Sequence, residues 1–330
     1  MNSYSLKNKK IVFSDAFKAE LIEQEDTFEI QADEVLIQTE FSLVSNGSEM
    51  GVYKNLEGAI TYPLYPGYTA IGKIIEVGAT VASDLLNQYV LADIPHQSYG
   101  VAKSSDILLI DEPDTQKRPD YLFTRIGAVS LPSILDTTIK ATEKVLVTGL
   151  GIVGLLAAQQ AINFGYEVYA VDRNERNRKL FEQLTNQPSY ASIEEVPVPE
   201  KSIGLLLECT GAESILFDSF SKMRKRSEVY LIGVPWTNYT DELAASLTRE
   251  IFYNFMSVHS GWEWFMPHES NDFIFDSRMN NLSKIKEWIQ TDKLKLDAVY
   301  DIFNATDCTQ AYQGIAEHNL EKISVVFDWR

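Results

Sequence analysis

Residues 144–172 constrain the fold more than any other part of the chain. A short apolar run, KVLVT, leads into the turn GLGIVG, with glycines at Gly149, Gly151 and Gly154. An apolar helical stretch, LLAAQQAINF, follows, then Gly165, a second short run EVYAV, and Asp172. Strand, tight turn, helix, strand and terminal acid in this order predict a dinucleotide-binding βαβ unit. Gly149 permits the turn, Gly151 lets the backbone approach a pyrophosphate, and Gly154 lets the helix lie close on the strand. The helix N-terminus offers unpaired N–H groups and the positive end of its dipole to phosphate, with Ile152 and Val153 beside them. Asp172 can accept the adenosine ribose hydroxyls, and its charge would repel a 2′-phosphate. Arg173 pulls the other way, because an adjacent guanidinium can hold such a phosphate or lie along the adenine. The balance favours NAD(H) over NADP(H).

Net charge is −18, from 29 Lys and Arg against 47 Asp and Glu spread along the chain. Such a surface repels nucleic acid and anionic lipid, so neither is expected as a partner. No run approaches the roughly 18 consecutive apolar residues of a membrane span. The apolar stretch after Lys7, Lys9 and Lys10 is too short for a signal peptide. Cys209 and Cys308 are the two cysteines of the chain. They cannot make a four-cysteine zinc site, and two reduced thiols in a cytoplasmic protein is the simplest reading.

From about residue 10 to 115 the pattern is short alternating runs broken by Gly, Pro, Asn and Asp, as in 34–45, 69–78, 88–94 and 106–111. This predicts a β domain with long connections. A longer period over 119–142 predicts a helical bridge despite Pro132. Strands at 144–148, 167–171, 203–208 and 228–233, alternating with helices, predict a doubly wound parallel sheet running to about 262. Helices near 280–291 and 306–317 and a closing strand over 323–329 complete the chain. The ends of the later strands, Cys209-Thr210-Gly211 and Gly233-Val234, are expected to approach the nicotinamide half of the dinucleotide. A ligand is expected in the crevice between the β domain and the doubly wound domain.

The chain resembles the medium-chain dehydrogenase/reductase superfamily, alcohol dehydrogenase-like. Besides GLGIVG and Asp172, the segments that carry the likeness are VSNGSE (44–49), YPLYPGYTAIGKIIEVG (62–78), HQSY (96–99), LECTGAE (207–213), LIGVP (231–235) and KISVVFDW at the end. The resemblance implies an α/β chain in which a GroES-like β domain carrying the catalytic site (1–124) precedes a Rossmann NAD-binding domain (125–265). A C-terminal segment (266–330) then returns to complete the first domain. It also implies a homodimer built through the sheet edge, for which 249–261 (REIFYNFMSVHSG) has the apolar, β-rich character. Within the superfamily the SNGSE and PGYTAIG stretches look most like alcohol dehydrogenase branches that act in biosynthesis, including the bacteriochlorophyllide dehydrogenases.

The departures bear on mechanism. Zinc-dependent members hold a catalytic metal with a Cys, a His and a third ligand. Here the matching positions carry Asn46, Tyr68 and, by spacing back from the glycine-rich turn, Arg125. A neutral amide and phenol are poor zinc donors and a guanidinium repels the cation, so no zinc is expected. A carbonyl oxygen must then be polarised by hydrogen-bond donors. Ser48 matches the hydroxyl that contacts substrate oxygen in zinc-dependent relatives. Tyr68 could act as acid or anchor, Asn46 could donate an amide N–H, and His96, on a loop after a strand, could line the substrate site. Each has a plainer alternative: a turn serine, a pocket-filling ring, a turn asparagine, a solvent-facing histidine. Gly51 stands where some relatives have a relay histidine. Glu49 and Arg125 are candidates for a salt bridge at the metal's place. Trp262, Trp264 and Phe265 suggest core, dimer contact or an aromatic wall for a large substrate. These readings converge on a zinc-independent NAD(H)-dependent oxidoreductase acting on a small-molecule carbonyl/alcohol pair. The alternatives are an enoyl- or quinone-type double-bond reductase and a non-catalytic dinucleotide-binding sensor.

Overall fold

The computed structural model describes residues 2–330. The chain divides into two compact units: everything up to Arg125 together with Val299–Arg330, and Ile126–Ala298. Helix Arg278–Gln290 therefore belongs to the second unit, and the returning segment begins at Val299 rather than near 266. The local signal at 266 was only a loop; which core the next helix joins is settled by the buried Ile285, Trp288 and Ile289 on its inner face.

The first unit is a β structure. A long antiparallel hairpin pairs Asn2–Asp15 with Lys18–Ile30. A seven-stranded sheet runs in the order Tyr300–Asn304, Ser324–Asp328, Glu34–Leu43, Ala70–Val77, Tyr89–Ala92 and Leu108–Leu109, with Tyr99–Lys103 also paired to Glu34–Leu43. Glu34–Leu43 is flanked on both edges and is largely buried, its polar Thr39 and Ser42 included. The returning strand pairs Val326 with Leu43, closing the sheet with residues almost 300 positions later in the chain. Helix Asn46–Tyr53 and helix Cys308–Ala316 share a core of Phe13, Tyr53, Tyr312 and Phe327, whose rings meet edge-on or stacked.

The second unit holds a six-stranded, all-parallel sheet. Its order is Ser189–Tyr190, Glu167–Val171, Lys144–Thr148, Ile203–Glu208, Met223–Leu231 and Ser257–Ser260. Counting from Lys144–Thr148, this is the 3-2-1-4-5-6 order of dinucleotide-binding doubly wound folds. The order in which strands are added reverses beside Lys144–Thr148, so that strand marks the switch point. Its central strands are buried on both faces and read as unbroken apolar runs such as GLLL. Helix Ile152–Asn163 is buried along most of its length, as its all-round apolar sequence requires. One expectation needs correction at the sheet edge: residues 249–254 are part of helix Ala244–Asn254, and only Ser257–Ser260 forms the strand. Short apolar runs fit either period, and the left-handed Phe255 ends the helix before the strand begins.

No helix among the described residues is long and apolar enough to cross a membrane. Both cysteines are free thiols.

Candidate dinucleotide site and candidate active site

In the second unit the ends of four adjacent parallel strands bring the expected nucleotide residues together. Gly149, with φ of 81°, turns the chain out of Lys144–Thr148, and its N–H donates to Val171 O at 2.8 Å. A Cβ on Gly154 would lie 1.7 Å from Gly149 O, so helix and turn touch backbone to backbone and only glycine fits. Gly151 is different. A Cβ there would meet nothing within 4 Å, so the protein's own packing does not demand glycine. That open side lies at the N-cap of Ile152–Asn163, where no side chain caps the first-turn amides. Uncapped amides beside open space suit an anion.

Asp172 follows strand Glu167–Val171 and is tied to the same turn. Its Oδ2 accepts from Leu150 N at 2.7 Å and Asn177 Nδ2 at 3.0 Å, and its Oδ1 accepts from Asn174 N at 2.7 Å. Arg178 donates to Asp172 O at 2.7 Å, while Arg173 is exposed. Asn174, Asn177 and Arg178 escaped the sequence reading. Asn174 could have been found as the N-cap of Glu175–Thr185, whose second amide it caps.

Cys209, Thr210 and Gly211 leave Ile203–Glu208, and Glu208 folds this turn back on itself. Its buried carboxylate accepts from Thr210 N at 2.7 Å and Gly211 N at 3.0 Å, and also from the Thr210 hydroxyl. Burial raises the Glu208 carboxyl above its usual range despite these bonds. The Thr210 and Gly211 amides are thus already engaged. Gly233 and Val234 pack against this turn so closely that a Cβ on Gly233 would stand 2.1 Å from Gly211 N. Desolvation pushes the Cys209 thiol above its ordinary range.

The first unit holds the candidate chemical residues. Ser45 is the N-cap of helix Asn46–Tyr53, and its hydroxyl makes no cap bond. Instead the Tyr68 phenol donates to Ser45 Oγ at 2.6 Å, and Ser45 Oγ donates to Ser48 Oγ at 3.4 Å. The Arg125 guanidinium lies 5.2 Å from the centre of the Tyr68 ring, with Asp93 3.3 Å from its Nε. Burial raises the Tyr68 phenol above its ordinary range, partly opposed by the bonds to Ser45 and Ser48 and by the Arg125 charge.

Behind these hydroxyls stands a buried polar network that the sequence reading missed. Glu49, 4% exposed, accepts from Ser45 N at 2.7 Å through Oε1. Its Oε2 accepts from Tyr312 OH at 2.5 Å and faces His96 Nε2 at 3.1 Å. His96 Nδ1 lies 2.7 Å from Ser42 Oγ, which itself accepts from Trp329 Nε1 at 2.9 Å. An indole can only donate, so the Ser42 proton is available to Nδ1, and the His96 proton then sits on Nε2 facing Glu49. The tautomer follows from this network. His96 is 1% exposed with both nitrogens engaged, so it orients Glu49 and does not line a substrate site as expected. The expected Glu49–Arg125 pair is also replaced: Glu49 takes three neutral donors and Arg125 takes Asp93.

The zinc implied by the resemblance can be tested against these donors. Asn46 Nδ2 donates to Ile323 O at 2.7 Å, leaving Oδ1 buried and without a partner. The amide therefore has a buried acceptor oxygen left over and one further Nδ2 hydrogen. Tyr68 keeps its proton and spends it on Ser45, and Arg125 has no lone pair to offer. Among the described residues no three His, Cys, Asp or Glu side chains are placed to hold a metal ion. One amide oxygen, one neutral phenol and one cation do not fit a zinc centre. Trp262, Trp264 and Phe265 are exposed by half or more, so a place in the core is excluded for them.

Comparison with known proteins agrees with this architecture. The family described as alanine dehydrogenase/PNT, C-terminal domain, matches residues 130–203, the strand–turn–helix segment and its sequel. An uncharacterized zinc-type alcohol dehydrogenase-like protein of Haemophilus influenzae is 25% identical over 199 residues. That match spans 51% of this chain and 56% of the relative, so the chain covers little more than half of that protein's length. Galactitol-1-phosphate dehydrogenase from Escherichia coli superposes with a TM-score of 0.78 at 18% identity, over 97% of this chain and all of that one. Acetophenone reductase from Geotrichum candidum, solved with NAD, gives 0.77 at 14% identity, over 98% of this chain and 97% of that one. The chain shares its fold with the alcohol dehydrogenase-like proteins of the medium-chain dehydrogenase/reductase superfamily, the family its motifs resemble.

Proposed function

We propose that this protein is a nicotinamide-dependent, zinc-independent oxidoreductase that interconverts a carbonyl and an alcohol, with NAD(H) as its nucleotide. The observation that carries the reading is the glycine turn of the second unit. Gly151 leaves open space at an uncapped helix N-terminus, and the Asp172 carboxylate hangs on the same turn. Gly149, Gly151, Ile152, Val153 and Gly154 would hold the pyrophosphate, and Asp172 the ribose, where a 2′-phosphate would meet its charge. Cys209 to Gly211, Gly233 and Val234 would border the nicotinamide, and Arg173 the adenine. When bound, the nicotinamide supplies or accepts a hydride. The first unit would supply what zinc supplies elsewhere: a hydroxyl donor, Ser48, for an oxygen that gains charge, with the Tyr68 phenol bonded to its neighbour Ser45.

Purified protein mixed with NADH and a panel of aldehydes, ketones and enones is expected to consume NADH with a carbonyl substrate. NADH should bind more tightly than NADPH, and turnover should persist after chelation in protein carrying far less than one zinc per chain. Stoichiometric zinc whose removal abolishes turnover would overturn the metal-free reading. Tight NADH binding without turnover on any compound would favour a non-catalytic nucleotide sensor. Turnover confined to enones would favour a double-bond reductase.

A homodimer belongs to the same proposal. Strand Ser257–Ser260 is hydrogen-bonded on one edge only, and Phe255, Trp262, Phe252 and Tyr253 lie exposed nearby in sequence. An open, aromatic-flanked strand edge favours pairing with a second copy. Light scattering at micromolar protein should give twice the chain mass of 37.3 kDa, and the mass of a single chain would refute it.

A further inference from the structure

Serine is favoured at helix N-caps because its hydroxyl accepts from the second or third amide of the helix. Ser45 occupies that position and does not do this. The Glu49 carboxylate binds the Ser45 amide from behind, and the hydroxyl is turned to Tyr68 and Ser48. A local rule broken where polar groups converge is a mark of function rather than of helix formation.

Tyr68, Ser45 and Ser48 form a row of rotatable hydroxyls in which Ser45 accepts from Tyr68 and can donate to Ser48, which leaves Ser48 a proton for a ligand. Ser45 is 5% exposed, while Ser48 is only partly buried. The row therefore has a buried hydroxyl, Ser45, between two partly exposed ones, Tyr68 and Ser48. We infer that Ser45 is the relay through which Tyr68 delivers a proton to Ser48, and that Arg125 stabilises the phenolate left behind. This rests on the proposed carbonyl reduction without metal.

The step balances as follows. When the substrate carbonyl is reduced, its oxygen gains negative charge and would take the Ser48 proton, the bound nicotinamide supplying the hydride. Ser48 Oγ regains a proton from Ser45, and Ser45 from Tyr68. No net charge remains on either serine. The single negative charge ends on the Tyr68 oxygen, beside a guanidinium, and water returns the proton after the alcohol leaves. The 3.4 Å spacing of Ser45 and Ser48 is long for a hydroxyl pair and is the contact that must tighten when substrate binds. Because burial keeps Tyr68 protonated at neutral pH, the resident form is the acid, as reduction requires.

The test uses Ser45→Ala, Ser45→Thr and Tyr68→Phe in the full chain. Ser45→Ala and Tyr68→Phe should each lower kcat for reduction on the order of 10²-fold or more, the usual worth of a positioned acid. Ser45→Thr keeps the hydroxyl and should retain most of the rate. In mixtures of light and heavy water the wild-type rate should fall along a curved line, since several protons move together, and Ser45→Ala should lose the curvature. A second measurement needs neither nucleotide nor substrate. The ultraviolet titration component lost in Tyr68→Phe reports the phenol directly, and it should move to higher pH in Ser45→Ala. Unchanged rate and unchanged titration in Ser45→Ala overturn the relay. A titration shift in a protein that reduces no carbonyl confirms the hydrogen-bond chain while defeating the catalytic reading on which the relay rests.

Discussion

Replacing Glu49 with alanine is expected to destabilise the first unit by about 3 kcal/mol or more, since it leaves three buried donors without their acceptor. The carboxylate satisfies Ser45 N, Tyr312 OH and His96 Nε2 at once, and all three donors are buried. Each donor left without an acceptor costs about 1–3 kcal/mol. Glu49→Gln should cost less, because the amide keeps one acceptor, though its NH₂ then faces a donor. Burial and the Glu49 charge together hold the Tyr312 phenol well above its ordinary range. Loss of that charge should therefore make Tyr312 easier to ionise, provided the fold survives. The check is the urea midpoint of each variant compared at constant slope. A midpoint for Glu49→Ala equal to that of the wild type would show that the network contributes nothing to stability.

The second large effect is expected at Gly154. An alanine there puts its methyl 1.7 Å from Gly149 O, and that carbonyl cannot retreat easily, because Gly149 N is bonded to Val171 O. Either the helix lifts from the strand or the turn opens. Forcing a methyl into packed backbone costs about 1–3 kcal/mol or more, and displacement of the turn should weaken NADH binding at least roughly 100-fold, or about 2.8 kcal/mol. Gly151→Ala is the informative partner. Its methyl meets nothing, so stability should be unchanged while NADH binding falls, because the methyl stands in space reserved for the pyrophosphate. Thermal melts with and without NADH, together with a binding titration, separate the two. If Gly151→Ala binds NADH as well as the wild type, the open side of the turn is not where the nucleotide lies.

The contrast between these two sites explains what was legible in advance. Gly149, Gly151, Gly154 and Asp172 lie within one βαβ unit, where period, turn chemistry and strand ends are local properties. Their proposed roles rest on spacing, and the parallel sheet order is the one such units adopt. The hydroxyl cluster was half legible. Ser48 and Tyr68 were reached through the resemblance, but Ser45 was not singled out, since nothing local says that its hydroxyl turns away from the helix it precedes. His96 was misjudged for a related reason. A histidine between a proline and a glutamine reads as exposed loop, and only packing against Phe327 and bonding to Ser42 and Glu49 bury it.

By itself the sequence determined the doubly wound unit, the placement of its glycines and acid, and the absence of cysteine and histidine from the positions that hold zinc in relatives. Periodicity and backbone sterics act over a few residues, so a single segment suffices to express them. The tertiary structure alone decided the Glu49 network, the orientation of Ser45 and the point at which the chain returns to its first unit. Those features join residues 42, 45, 49, 68 and 96 to 312, 327 and 329, and burial of a polar group is satisfied by whichever donors the fold brings near, at any distance along the chain.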